Sequence, residues 1–153
     1  MRITLSRYYY TETITKSRMM FLSDEGKVLF ECEAHETMFR DYTEKFPGCS
    51  DYCMPTGAFP IKVKSGAAGP MTMFIMKVPG HMAMQICWHV THQTEHCRVL
   101  VGEATSEDPE TSRLTRQMET YERIEQLIYD SFINGETFEI EVRNEIDMDE
   151  MCA

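Results

Sequence analysis

Arg18-Met19-Met20-Phe21-Leu22, Ser23-Asp24-Glu25-Gly26-Lys27 and Val28-Leu29-Phe30-Glu31-Cys32 follow one another without a break. Two apolar runs around a short acidic loop with a glycine are a β-hairpin signal, and this hairpin sets the class as β-rich. Upstream, Arg2 to Tyr10 places Ile3 and Leu5 on one side of a strand, with polar Thr4 and Ser6 between them. Downstream, His35 to Cys53 loses periodicity around Pro47-Gly48 and reads as a long excursion, of a length that often carries function. The turn Pro55-Thr56-Gly57 launches a strand from Ala58 to Lys64, and Ser65 to Pro70 is a small-residue loop. Met71 to Val78 reads as a further strand, ended by the turn signal Pro79-Gly80. Met82 to Val90 reads as a strand entering a histidine-rich loop, and Arg98-Val99-Leu100-Val101-Gly102 as a short buried strand.

The spacing near the C-terminus predicts one long helix over 109–134. Ser106 or Asp108 caps it, Pro109 suits its first turn and Gly135 ends it. Leu114, Met118, Tyr121, Ile124, Leu127, Ile128 and Phe132 recur at three- and four-residue steps, a stripe that packs on a sheet. Arg116, Glu119, Arg123 and Gln126 form its solvated side. Thr137 to Val142 alternates as a strand, and the acidic tail from Asn144 has little to bury. The expected fold class is therefore α+β, mainly β. It comprises a single domain over 1–143, an antiparallel sheet with one long C-terminal helix packed on it, and a frayed tail over 144–153.

The chain has 153 residues, 42% hydrophobic and 26% charged, which suits one soluble domain with a real core. Fifteen basic against twenty-five acidic residues leave a net charge of −10, which argues against nucleic-acid phosphates and anionic lipid as partners. No apolar run reaches bilayer-spanning length, and the N-terminus lacks the apolar region of a secretory signal. The expectation is a protein that is cytoplasmic as synthesised. Its six cysteines are then expected as free thiols, and its thirteen methionines mainly as core filler.

Four of the five histidines fall between positions 81 and 96. The densest stretch runs from Cys87-Trp88-His89 through His92 to His96-Cys97-Arg98. Imidazole and thiolate donors make Cys87, His89, His92 and His96, with Cys97, an alternative metal site, although their spacing matches no standard zinc pattern. Cys97 is equally a candidate nucleophile, since a positive neighbour such as Arg98 favours the thiolate and His89, His92 or His96 is within loop reach as base. The third reading makes Cys97 a buried core cysteine at a strand edge. The expectation is that no metal or other cofactor is held.

Met54-Pro55-Thr56-Gly57-Ala58-Phe59-Pro60-Ile61 resembles the Thr-Pro-Thr-Gly-x-Phe-x-Ile segment of L,D-transpeptidase catalytic domains. Those β-rich domains cross-link peptidoglycan stem peptides through a cysteine thioester. Their second signature, a strand with His-Gly followed by Ser-His-Gly-Cys-x-Arg, corresponds here to Cys87-Trp88-His89 and Glu95-His96-Cys97-Arg98. The chain is still more similar to a small uncharacterised domain family of bacteria and phages. That family carries Pro-x-Gly-x-Tyr, Val-Pro-Gly, Ile-His-x-Gly-Asn and Gly-Cys-Ile-Leu-Val-Gly before a helix. Pro55-Thr56-Gly57-Ala58-Phe59, Val78-Pro79-Gly80 and Val99-Leu100-Val101-Gly102 occur here in that order. Aligned without gaps, the family histidine falls on Cys87 and the family cysteine on Arg98.

The resemblance implies an L,D-transpeptidase-like fold with displaced catalytic positions. On one reading the chain is a non-catalytic binding or assembly module, a phage or secretion-system component with a protein partner. On the other it is a cysteine-dependent acyltransferase or peptidase acting on peptidoglycan-like peptides. Cys97 is then the nucleophile, His89 or His96 the base, and Arg98 helps to hold the oxyanion. The enzymatic reading needs delivery by lysis, a virion or a secretion apparatus to reach peptidoglycan.

Overall fold

The computed structural model describes residues 1–37, 53–65, 71–79, 84–90 and 98–145. Most of the 35–53 excursion, the 66–70 loop and the tail from 146 lie outside the described residues.

Among the described residues, nine strands and one helix follow one another as β1 (Arg2–Tyr10), β2 (Thr15–Leu22), β3 (Val28–Glu36), β4 (Gly57–Lys64), β5 (Thr72–Ile75), β6 (Met84–Cys87), β7 (Arg98–Ala104), β8 (Leu114–Thr115), α1 (Gln117–Ile133) and β9 (Phe138–Asn144). The expected hairpin is β2–β3. Its loop is closed by hydrogen bonds from Ser23 N to Lys27 O (2.9 Å) and from Gly26 N to Ser23 O (2.9 Å). Gly26 sits at φ 86°, where a side chain would be strained.

The described chain is mainly β with one helix, as expected, but the sheet is not wholly antiparallel and it closes on itself. Its order is β3-β2-β1-β9-β4-β5-β6-β7-β8, and β3 also pairs with β7, so eight strands close into a barrel with β8 appended. Two pairs among the described strands, β1–β9 and β6–β7, are parallel, and neither is a hairpin pair, which a tight turn would make antiparallel.

Register shows what fills the barrel. Leu5 lies beside Met19 and Val142, Met19 beside Cys32, Ala34 beside Val101, Val99 beside Ile86, Ile86 beside Met73, and Phe59 beside Ile140. All of these are buried, so alternate residues of every barrel strand point inward. An eight-stranded barrel is just wide enough for side chains to fill, and this interior is core. Thr4 and Ser6, between the inward Ile3 and Leu5, lie on the outer face of β1, yet they are buried. Each is flanked by longer side chains, Met20 and Glu141 beside Thr4, Arg18 and Arg143 beside Ser6.

The helix is shorter than expected, and the reason is local. Asp108 does cap a turn, accepting from Glu110 N (3.0 Å) and Thr111 Oγ1 (3.2 Å). That turn stops at Ser112, because the buried Lys16 ammonium donates to the carbonyls of Pro109 (2.6 Å) and Ser112 (2.7 Å). Leu114 and Thr115 then pair with Ala104 and Glu103 instead of entering the helix. Arg116, in the left-handed region at φ 49°, starts α1. Gly135 ends it as expected, with Glu136 N donating to Ser131 O (3.0 Å) in a Schellman cap.

Tyr121, Ile124 and Ile128 are the buried apolar face of α1, with Leu127 and Phe132 packed at its margin, whereas Met118 is exposed. The Tyr121 hydroxyl donates to Met71 O, and Met71 N donates to Glu125 Oε2 (2.9 Å). The helix thus starts over Gly102 of β7 and passes the beginning of β5 on its way to β9, closing one end of the barrel. No helix among the described residues is long and apolar enough to cross a membrane.

Gly102 is where β8 and α1 meet the barrel wall. A Cβ built there lies 2.6 Å from Thr115 O and 2.8 Å from Leu114 Cγ. Gly102→Ala is therefore expected to destabilise by about 1–3 kcal/mol, read as a lower urea midpoint. An unchanged midpoint would show that β8 is not held against this wall.

Candidate functional site

The expected site divides between the described strands and a segment outside them. His92, His96 and Cys97 lie outside the described residues, while Cys87, His89 and Arg98 lie within them. β6 and β7 run parallel, Gln85 beside Arg98 and Cys87 beside Leu100. Ile86 and Val99 point into the barrel, so Cys87 and Arg98 share its outer face, diagonally across adjacent strands. Side chains so placed are about 7–8 Å apart at the backbone, within reach of a long side chain.

Arg98 is half-buried, and its Nη1 has no hydrogen-bond partner among the described residues. Cys87 is buried, and its sulfur is one of the groups that hold Tyr121 protonated, after burial itself and Glu125. His89 is exposed, its ring 3.9 Å from that of Trp88. It leaves the strand pair two residues beyond Cys87, whereas Arg98 enters at the level of Gln85. His89 and Arg98 are thus at opposite ends of the pair, and the structure does not bring them together. Among the described residues no group of three or more His, Cys, Asp or Glu converges as a metal site.

Two polar clusters are invisible in the sequence. The first is inside the barrel, at the end away from α1. Arg7 and Glu36, both with fully buried side chains, form a bidentate pair, Nε to Oε1 at 2.9 Å and Nη2 to Oε2 at 2.8 Å. Arg7 also donates to Met54 O and to Asn144 Oδ1 (3.3 Å), and Met54 N donates back to Glu36 Oε2 (3.0 Å). The chain before β4 is thereby fastened over the barrel mouth, with the Met54 side chain fully buried. Asn144, read as the start of the tail, is the last residue of β9 and part of this cluster. The Thr15 and Ser17 hydroxyls on the same inner face are buried with no partner among the described residues.

The second cluster lies outside the barrel on β1–β3. Tyr8, at a bulge in β1, donates its hydroxyl to Glu33, and His35 Nε2 lies 3.3 Å from the same carboxylate. Burial and then the Glu33 hydrogen bond push the Tyr8 phenol well above its ordinary range. Glu33 also borders a surface groove of about 300 Å³ lined by Arg18, Glu31, Cys32, Gly102, Glu103 and Ala104. The Cys32 thiol is free but pushed up to about 12, first by burial and then by Glu33 and Glu31, so it is a poor nucleophile.

Two outcomes follow. Arg7→Met leaves Glu36 buried and unpaired and is expected to cost about 3–5 kcal/mol in chemical denaturation. Adding Glu36→Gln, which removes the stranded charge and keeps an acceptor for Met54 N–H, recovers part of that loss. Cys32, protonated when folded and titrating near 9.0 when unfolded, makes the unfolded state release a proton first as pH rises. Its contribution to stability is whole below about pH 9 and is lost as pH climbs toward 12. Cys32→Ala should flatten that alkaline decline in a denaturant series, whatever its effect on stability at pH 7.

No family model matches the chain, and neither a curated protein nor a solved structure matches it significantly.

Proposed function

We propose that the chain is a non-catalytic binding or assembly module on an L,D-transpeptidase-like fold, of the kind a phage particle or secretion apparatus would carry. The observation that carries this reading is the outer face of β6 and β7. The two positions that align with the resembling family's histidine and cysteine, Cys87 and Arg98, are neighbours on that face. Neither can supply the chemistry. A buried thiol stands where a base is needed, and a guanidinium, which stays protonated and is no nucleophile, stands where the thiol is needed. The remaining described candidate, His89, is at the other end of the strand pair.

One observation favours the second reading, a cysteine-dependent acyltransferase or peptidase on peptidoglycan-like peptides. Arg98 Nη1 is an unspent buried donor next in sequence to Cys97, as an oxyanion partner would be.

Reaction of the whole chain with an activated acyl donor and with iodoacetamide separates the two. The module is expected to show no acyl-enzyme burst and slow alkylation of Cys97. Rapid, selective labelling of Cys97 at neutral pH, blocked by a stem peptide and lost in Cys97→Ala, would overturn the proposal.

A further inference from the structure

β3 is paired unequally on its two sides. Along one edge it pairs with β2 from Val28 to Glu36. Along the other it meets β7 only at Glu33, Ala34 and His35. After Gly102, β7 exchanges β3 for β8, pairing Glu103 with Thr115 and Ala104 with Leu114. Val28 to Cys32 therefore has no strand on its outer edge among the described residues, and alternate residues there direct N–H and C=O groups away from β2. This open edge borders the groove of about 300 Å³ between β3 and the end of β7. Val28 and Leu29 beside it are 48% and 37% exposed, unusual for a strand in a closed barrel.

An open edge binds extended chain by strand addition, in which main-chain hydrogen bonds give affinity and flanking side chains give selectivity. Here the flanking groups are Glu31, Glu33 and Glu103; Arg18 pairs with Glu31 at 2.9 Å and Arg116 lies 3.9 Å from Glu103, both exposed pairs that a basic guest can exchange at little cost. The same carboxylates disfavour a second copy of this chain. Antiparallel pairing of two such edges about Phe30 would bring the two acidic grooves together, between molecules that each carry a net charge of −10. The bulge at Leu22, opposite Val28 and Leu29, confines regular pairing to a short stretch.

We infer that Val28–Cys32 and the adjoining groove accept a short extended segment of a partner protein, one that alternates basic and apolar side chains. The inference rests on the binding-module reading and names the surface and the chemistry of its partner. The guest adds a strand to β3, with its basic side chains on the outer face beside Glu31 and Glu33 and its apolar ones on the opposite face beside Phe30 and Cys32.

The test uses the whole chain and a fluorescent Lys-Val-Lys-Val-Lys peptide, with Glu-Val-Glu-Val-Glu and an alternately N-methylated Lys-Val peptide as comparators. Anisotropy should show saturable binding of the basic peptide alone. Glu31→Lys with Glu103→Lys, both exposed positions, should weaken it by roughly tenfold or more. Amide shifts should fall on Val28–Cys32 and Gly102–Ala104. Equal binding of the acidic or N-methylated peptide, shifts elsewhere, indifference to the charge reversal, or no binding would each overturn the inference. None of these results bears on whether Cys97 is a nucleophile. A failed strand addition is therefore distinguishable from a failure of the module reading, which acyl transfer alone decides.

Discussion

Closure of the barrel rests on three residue pairs, Glu33 with Gly102, Ala34 with Val101 and His35 with Leu100. Without them the sheet would end in two unpaired strands, and Ala34 and Val101 would have no wall to face. The pairing is short because β7 is claimed on both sides and along its length, by β6 at its start, β3 in the middle and β8 at its end. Gly102 is the pivot. It is the last residue to pair with β3, and its missing side chain is what lets Leu114 and Gln117 press on the wall. The same turn of β7 that seats α1 also leaves half of the second edge of β3 without a strand among the described residues.

The two ends of the barrel are closed by different physics. α1 closes one end with apolar burial through Ile124 and Ile128, supplemented by two hydrogen bonds to the Met71 backbone. The other end is closed by an ion pair. A buried pair of charges is weak support for stability in itself, because desolvation offsets most of the attraction. What Arg7 and Glu36 add is specificity. Their spare donors and acceptors are matched to the N–H and C=O of Met54 and to the Asn144 amide, so β1, β3, β9 and the approach to β4 can meet in only one register. The Thr15 and Ser17 hydroxyls add polar character to that end, whereas the α1 end is apolar.

Local pattern made the strands legible. The β2–β3 hairpin, the alternation of β1 and β9, and the strands at Ala58–Lys64 and Arg98–Gly102 were readable because each depends on residues within one short stretch. Closure was not, because whether β3 meets β7 depends on residues about seventy apart. The helix start was misplaced for a related reason. Asp108 and Pro109 carry true N-terminal signals, but a lysine ninety-odd residues upstream takes the carbonyls of that turn, and β7 takes Leu114. Arg7 and Glu36 gave no signal at all, since a charged residue in an alternating strand reads as an outward one. At the candidate site, sequence grouped Arg98 with Cys97, His96 and His89, and Cys87 with the histidines, but it could not show that Cys87 and Arg98 share an outer face or that His89 leaves the strand pair at the other end.

The packed interior constrains where function can lie. Every barrel strand contributes buried side chains to the middle, α1 covers one mouth and Met54 the other, so the barrel is a core and not a lumen. On the binding-module reading proposed above, recognition therefore belongs to the outer wall. Two parts of that wall stand out, the β6–β7 face with Cys87 and Arg98 and the open half of β3. β7 separates them, and its length differs in use on the two sides: its first three residues serve β6, its last two serve β8. The proposed partner strand on β3 would take the place of the pairing that β7 gives up after Gly102, along an edge with no strand among the described residues. On the proposed readings, the β6–β7 face and the docking edge of β3 then lie on opposite flanks of the same strand.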